Sequence, residues 1–145
     1  MACAFGNALR NMTTFGKPLL SGTEQQALGL MLFDVIAVES EFMEQHADTI
    51  KTFMAVTEAA NRQWRANPDP MRRLIARAAD VDRGSANDAL RGFHFPLAAE
   101  QKAEAWMGGS VAAYNIDIAS FFASRGQLET SLDSYDHFLT TRFLP

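Results

Sequence analysis

The residue best placed to do chemistry is Asp34, inside the stretch GLMLFDVIAVES of residues 29–40. Met31, Leu32 and Phe33 precede it, and Val35, Ile36, Ala37 and Val38 follow. A carboxylate in apolar surroundings needs a partner, because a charge buried without one is costly. Two partners fit the residue type. Backbone N–H groups at the end of a strand would hold it structurally, and a ligand cation would gain a charge-assisted hydrogen bond.

Other reactive side chains do not assemble into a pattern. His46, His94 and His137 stand too far apart for two ligands one helical turn apart. Cys3 is the single cysteine, so it reads as a free thiol with no disulfide or zinc partner. No G-x-S-x-G, G-x-G-x-x-G or Walker-type loop occurs. The expectation is therefore a protein that is not an enzyme, with no cofactor and no metal. Glu24 and Gln25 read as solvated loop residues, and Trp64 and Trp106 as core or interface residues.

The bulk numbers bound the rest. A chain of 145 residues suits one domain, and 48% hydrophobic with 21% charged residues argues against disorder. The net charge is −4, and the basic residues are interleaved with acids, as in MRRLIARAADVDR, which argues against a general nucleic-acid binder. No run of 18 apolar residues exists, so the chain is expected not to span a membrane. The start, MACAFGNALRNM, lacks a basic segment followed by an apolar one. As written the sequence shows no secretory signal and reads as cytoplasmic.

The elements that must position Asp34 follow from spacing and punctuation. FGKPLLSGTE, residues 15–24, reads as a loop or a short extended crossing. Residues 31–38 read as a strand buried on both faces, with weak strand candidates at ACAF and KPLL. From Met43 the period changes: Ala47, Ile50, Phe53, Met54, Thr57, Ala60 and Trp64 predict an amphipathic helix after a short first turn ending at His46. Asp69 with Pro70 predicts a helix start, its apolar face being Met71, Leu74, Ile75 and Ala78. Ser85 with Asp88 predicts a capping box for a helix ending near Gly92. Pro96 introduces a further helix, broken at Gly108-Gly109. Residues 110–125 form the next, with Val111, Tyr114, Ile118, Phe121 and Phe122 inward and Gly126 as its stop. A last helix is expected over about 131–140. One strand among six or seven helices leaves its backbone groups short of partners, as if part of a sheet were missing.

In that order, residues 5–143 resemble the C-terminal part of the periplasmic substrate-binding proteins of the taurine, aliphatic-sulfonate and nitrate ABC-transporter class. FGNALRNMTTFGKPLLSGTEQ is similar to the family's hinge-proximal W-x-P-A-L turn and the helix that follows it. LFDVIAVESEFMEQHADTIKTFMAV resembles L-D-V-W-V-V-x-x-x-F-x-x-K-H-P-E-x-V-K-A-F. ANPDPMRRLIARAADVD resembles the family's NPD helix, and GFHFPLAAEQ its G-x-x-Y-L-T-P-x-E-Q link. IASFFASRGQLETSLDSYDHFLTTRFL resembles the closing segment. Phe5 stands where the family often has Trp, Ala47 replaces a Pro, and no Trp-Gly pair precedes Phe33.

The resemblance implies an α+β, predominantly helical chain: an incomplete lobe of a periplasmic-binding-protein-like α/β fold, a single domain over 1–145. Residues 1–30 would end the second lobe and form the crossing, and 31–145 would supply the strand and helices of the first lobe's C-terminal part. It implies that Asp34 lies at a cleft and holds the ammonium of a taurine-like solute. Phe5, Gly6 and Asn7 match a cleft-facing turn, where Asn7 would donate to a sulfonate. Its own residue type equally suits an N-cap for residues 8–12. The function implied is that of a solute-binding component, or a fragment of one, for a small zwitterionic or anionic solute. An ABC permease would be its partner and the periplasm its place, with weak binding by the lone chain. A homodimer would cover exposed edges and faces. A stand-alone helical interaction or regulatory domain derived from such a gene is the other reading.

Overall fold

The computed structural model describes residues 4, 6–30 and 32–145, with Asn7 described only as part of its helix. Helices α1 (Gly6–Thr13), α2 (Gly22–Ala27), α3 (Ser40–Gln45), α4 (Ala47–Ala66), α5 (Pro68–Ala78), α6 (Arg83–Leu90), α7 (Ala98–Gln101) and α8 (Ser110–Ser124) follow in order, then a 3-10 turn at Asp136–Phe138. They fall into two compact units. The first is Met1–Val35 with Arg62–Phe95, and the second is Ile36–Asn61 with Pro96–Pro145.

Among the described residues there is no strand, so the expected α+β arrangement with a buried strand at 31–38 is corrected to an all-helical one. Residues 32–39 have no regular structure, KPLL is irregular, and of ACAF only Ala4 is described. The physical reason is the one that made the strand troubling. A strand needs a neighbour for its N–H and C=O groups, and without one those groups stay with water. The apolar side chains stay there too: Leu32 is 87% exposed, and Val35, Ile36 and Val38 are exposed.

In the first unit, α6 packs on both α1 and α5. Local chemistry sets where these helices begin. Asn67 caps α5, its side chain accepting from the Asp69 N–H at 3.2 Å, and Pro68 occupies the first turn. The expected start at Asp69-Pro70 is thus two residues late. Asp82, not Ser85, caps α6: its carboxylate accepts from the Ser85 N–H at 3.0 Å and from the Ser85 hydroxyl. Ala76, Ser85 and Ala86 are buried, whereas Leu74, expected inward, is exposed. α2, unexpected from the loop-like FGKPLLSGTE, starts on a capping box in which Ser21 and Glu24 exchange hydrogen bonds. No residue of α2 is buried, and Gly29 at φ 79° turns the chain away from it.

The second unit is built on most of α4. His46 closes α3 and Asp48 sits in the first turn of α4, as expected. The buried residues of α4 are Ile50 and Glu58, while Phe53 is exposed. The inward face otherwise follows the expected stripe, with Met54, Thr57, Ala60 and Trp64 half-buried and Glu58 added where it meets the segment 96–98. Val111 and Ala119 of α8 are buried, but Ile118, Phe121 and Phe122 are exposed. Gly126 at φ 71° ends α8 as expected. The last expected helix shrinks to the three-residue turn, with Phe143 buried beyond it.

Candidate functional site

Asp34 lies in the irregular stretch after Gly29 and is exposed. Among the described residues it makes no hydrogen bond or ion pair. Its surroundings are water, so neither the buried carboxylate nor the backbone-bonded strand end exists here. An exposed carboxylate attracts an ammonium by only about 0.2–1 kcal/mol. Holding a solute would therefore need a second surface over it. Phe5 lies outside the described residues, and Asn7 is the second residue of α1 rather than its cap. Nothing described brings these positions against Asp34.

Polar chemistry gathers instead around α5 and α6. Asp69 Oδ1 lies 3.4 Å from Arg72 Nη1 and 3.7 Å from Arg83 Nη2. Asp88 Oδ1 lies 2.9 Å from Arg91 Nη2, and its Oδ2 lies 3.6 Å from Arg10 Nη1. Each carboxylate is thus shared by two guanidinium groups. The Arg72 guanidinium sits 5.4 Å from the Trp64 ring centre, Trp64 meets Phe95 edge-on at 4.9 Å, and Phe95 stacks with Phe93 at 6.1 Å. A cleft of about 370 Å³ opens here, lined by Trp64, Arg72, Asn87, Leu90, Arg91 and Phe93. The sequence reading missed it. The signal in the sequence was the arginine-rich MRRLIARAADVDR, read only as basic residues interleaved with acids.

The carboxylates with displaced titration in this unit are caps. The Ser85 hydroxyl and N–H hold Asp82 below the usual carboxylate range, with Arg10 adding a smaller pull. The Ser21 N–H and hydroxyl do the same to Glu24.

The second unit holds a different polar arrangement. Glu58 Oε2 accepts from the Ala98 N–H at 2.8 Å, and one turn on, Asn61 Nδ2 donates to the Pro96 carbonyl at 3.0 Å. Gln101 Nε2 donates to the same carbonyl at 3.0 Å, and Glu100 accepts from the Leu97 N–H at 2.7 Å. These bonds grip FPLAAEQ against α4. They satisfy backbone groups rather than present donors to a ligand. A shallow cleft of about 490 Å³ beside Asp48, Thr49, Thr52 and Phe53 has one carboxylate, already bonded to Lys51.

No set of three or more His, Cys, Asp or Glu among the described residues could hold a metal ion. No helix of the described residues is long and apolar enough to cross a membrane.

Compared with known proteins, the chain is similar to the taurine-binding periplasmic protein of Escherichia coli (strain K12), 26% identical over 149 residues. The match covers 99% of this chain and 46% of that protein, so the chain spans less than half of the relative's length. No protein-family model and no solved structure matches. The likeness supports a relationship to periplasmic binding proteins.

Proposed function

We propose that the chain is the solute-binding component, or a portion of one, of an ABC importer for taurine- or sulfonate-like small anions or zwitterions. The observation that carries the reading is the similarity of nearly the whole chain to part of a protein named for binding taurine. Asp34 suits the ammonium of a zwitterion, being accessible and committed to no other described group. Asn7, and Phe5 before it, would face the solute's other end. Closing water out of such a site takes a second surface. The lone chain therefore binds weakly, and a permease and a periplasmic setting are the partners and place that go with the role.

A thermal-shift titration with taurine, alkanesulfonates, nitrate and bicarbonate tests this. Taurine is expected to raise Tm where simple alkanesulfonates do not, and Asp34→Asn to abolish the difference. Equal responses to all four, or none to any, would remove Asp34 as a solute ligand.

A second reading, a helical interaction domain, is favoured by the exposed segment 28–38. Leu28, Leu30, Leu32, Val35, Ile36 and Val38 are all exposed there, and clustered exposed apolar side chains mark interaction sites. In either reading a second copy of the chain covers it. A clean monomer mass by light scattering at micromolar concentration would count against the dimer.

A further inference from the structure

The cleft between α5, α6 and the end of α4 carries more than packing. We propose that it binds a small organic anion whose flat apolar body lies on Phe93, Leu90 and Trp64 while its carboxylate meets Arg72 and Arg91. The site shares no residue with the Asp34 reading and stands or falls apart from it.

Three features of the cleft support this assignment. Volume comes first: about 370 Å³ lies within the range of small-molecule sites, and the lining pairs three apolar side chains with three polar ones. Charge is the second. Arg10, Arg72, Arg83 and Arg91 share the two carboxylates of Asp69 and Asp88. Asp82, which feels Arg10 while it caps Ser85, brings a third carboxylate, so four guanidinium groups face three acids. The cluster thus keeps positive charge that its own acids do not cancel. Arginine forks match a carboxylate in geometry as well as sign.

Unspent hydrogen-bonding capacity is the third. Arg72 Nε and Asn87 Oδ1 are both buried without a hydrogen-bond partner. Groups of this kind are normally satisfied in a folded protein. Both belong to side chains that line the cleft. A half-turn of the Asn87 amide would offer its Nδ2 hydrogens to an anion, and a small swing of Arg72 would turn its unpartnered Nε–H toward the same anion. The aromatic wall is already set, since Trp64, Phe95 and Phe93 hold one another at 4.9 and 6.1 Å. An aromatic acid therefore finds its stacking surface preformed, which lowers the cost of binding.

Three probes separate the two halves of the site: benzoate carries both body and charge, acetate only the charge, and benzyl alcohol only the body. The readout is the indole N–H signals of Trp64 and Trp106 in the full chain, assigned with Trp64→Phe. Benzoate is expected to shift the Trp64 signal saturably in the millimolar range and to leave Trp106 still, with acetate and benzyl alcohol about tenfold weaker. Arg91→Ala, whose side chain is 82% exposed and so safe for folding, should weaken benzoate about tenfold, the worth of one charge-assisted bond. Arg72→Met should abolish the saturation, and Asp34→Asn should change nothing. A linear, unsaturated benzoate response, equal binding of benzyl alcohol, or an unaltered affinity in Arg91→Ala would each overturn the proposal.

Discussion

The two units of the chain carry opposite charge. With nine basic and six acidic residues, the first has a formal charge of +3; with four basic and eleven acidic, the second has −7, and together they make the −4 of the whole. The modest net charge therefore hides an asymmetry that composition alone does not reveal. The difference extends to how each unit is held. The second ties a loop to a helix by long-range bonds from Glu58 and Asn61. The first joins α6 packed on α1 and α5 to caps and ion pairs on the surface, and it includes residues 14–30, in which no residue is buried. A unit of this kind has polar groups and apolar side chains left over for something else, whereas the second uses its polar groups on itself.

The comparison can be broken most forcefully at Glu58. Its carboxylate is buried and bonded to the Ala98 N–H, so Glu58→Ala should cost about 2–3 kcal/mol in a urea titration. Hydrogen exchange should accelerate at Ala98 while Ser85, in the other unit, keeps its protection. Equal loss at both would mean that the units do not differ in this way.

Gly108 comes next. A Cβ there would lie 2.7 Å from the Lys102 carbonyl oxygen and 2.8 Å from the Ala103 carbonyl carbon. Both are backbone atoms with little room to move. Gly108→Ala should destabilise by about 1–3 kcal/mol, read as a lower urea midpoint.

A smaller effect is expected in the first unit, from acid. Asp82 and Glu24 are held below the usual carboxylate range by the N–H and hydroxyl groups they cap. A group depressed on folding adds stability that is complete above its unfolded pKa, and this is lost as pH falls through the folded one. Exchange protection at the Ser85 and Ser21 amides, which donate to these carboxylates, should therefore fade below about pH 4. Asp82→Ala should remove that pH dependence at Ser85. Carboxyl titration by NMR gives the midpoints directly; ordinary values would refute the capping account.

The smallest effect on the monomer belongs to Leu32→Ser with Val35→Ser. These side chains contribute to no core, so stability should stay within about 0.5 kcal/mol. Any self-association should fall at the same time, which light scattering reads. A large loss of stability would show that the segment is covered within the monomer.

What the sequence determined by itself are features decided within about one helical turn. The break at His46, the stop at Gly126 and the helices of 47–66 and 110–124 were legible because caps, left-handed glycines and helical periods act through neighbours three or four residues away. The box of Ser21 and Glu24 acts through the same short spacing but went unread, because its Gly/Pro-rich context pointed to a loop. The pattern of Ser85 with Asp88 placed the cap of α6 three residues late, since Asp82 takes that role. Only the tertiary structure decided which faces turn inward. Glu58 lies inside, where its carboxylate meets a backbone N–H forty residues away, while Phe53 of the expected stripe lies outside. It likewise brought Trp64, Arg72, Asn87 and Arg91 to one cleft, which no spacing along the chain announces. The stretch around Asp34 shows the limit most plainly. Its composition is that of a buried strand, but burial requires a second surface, and the described chain supplies none.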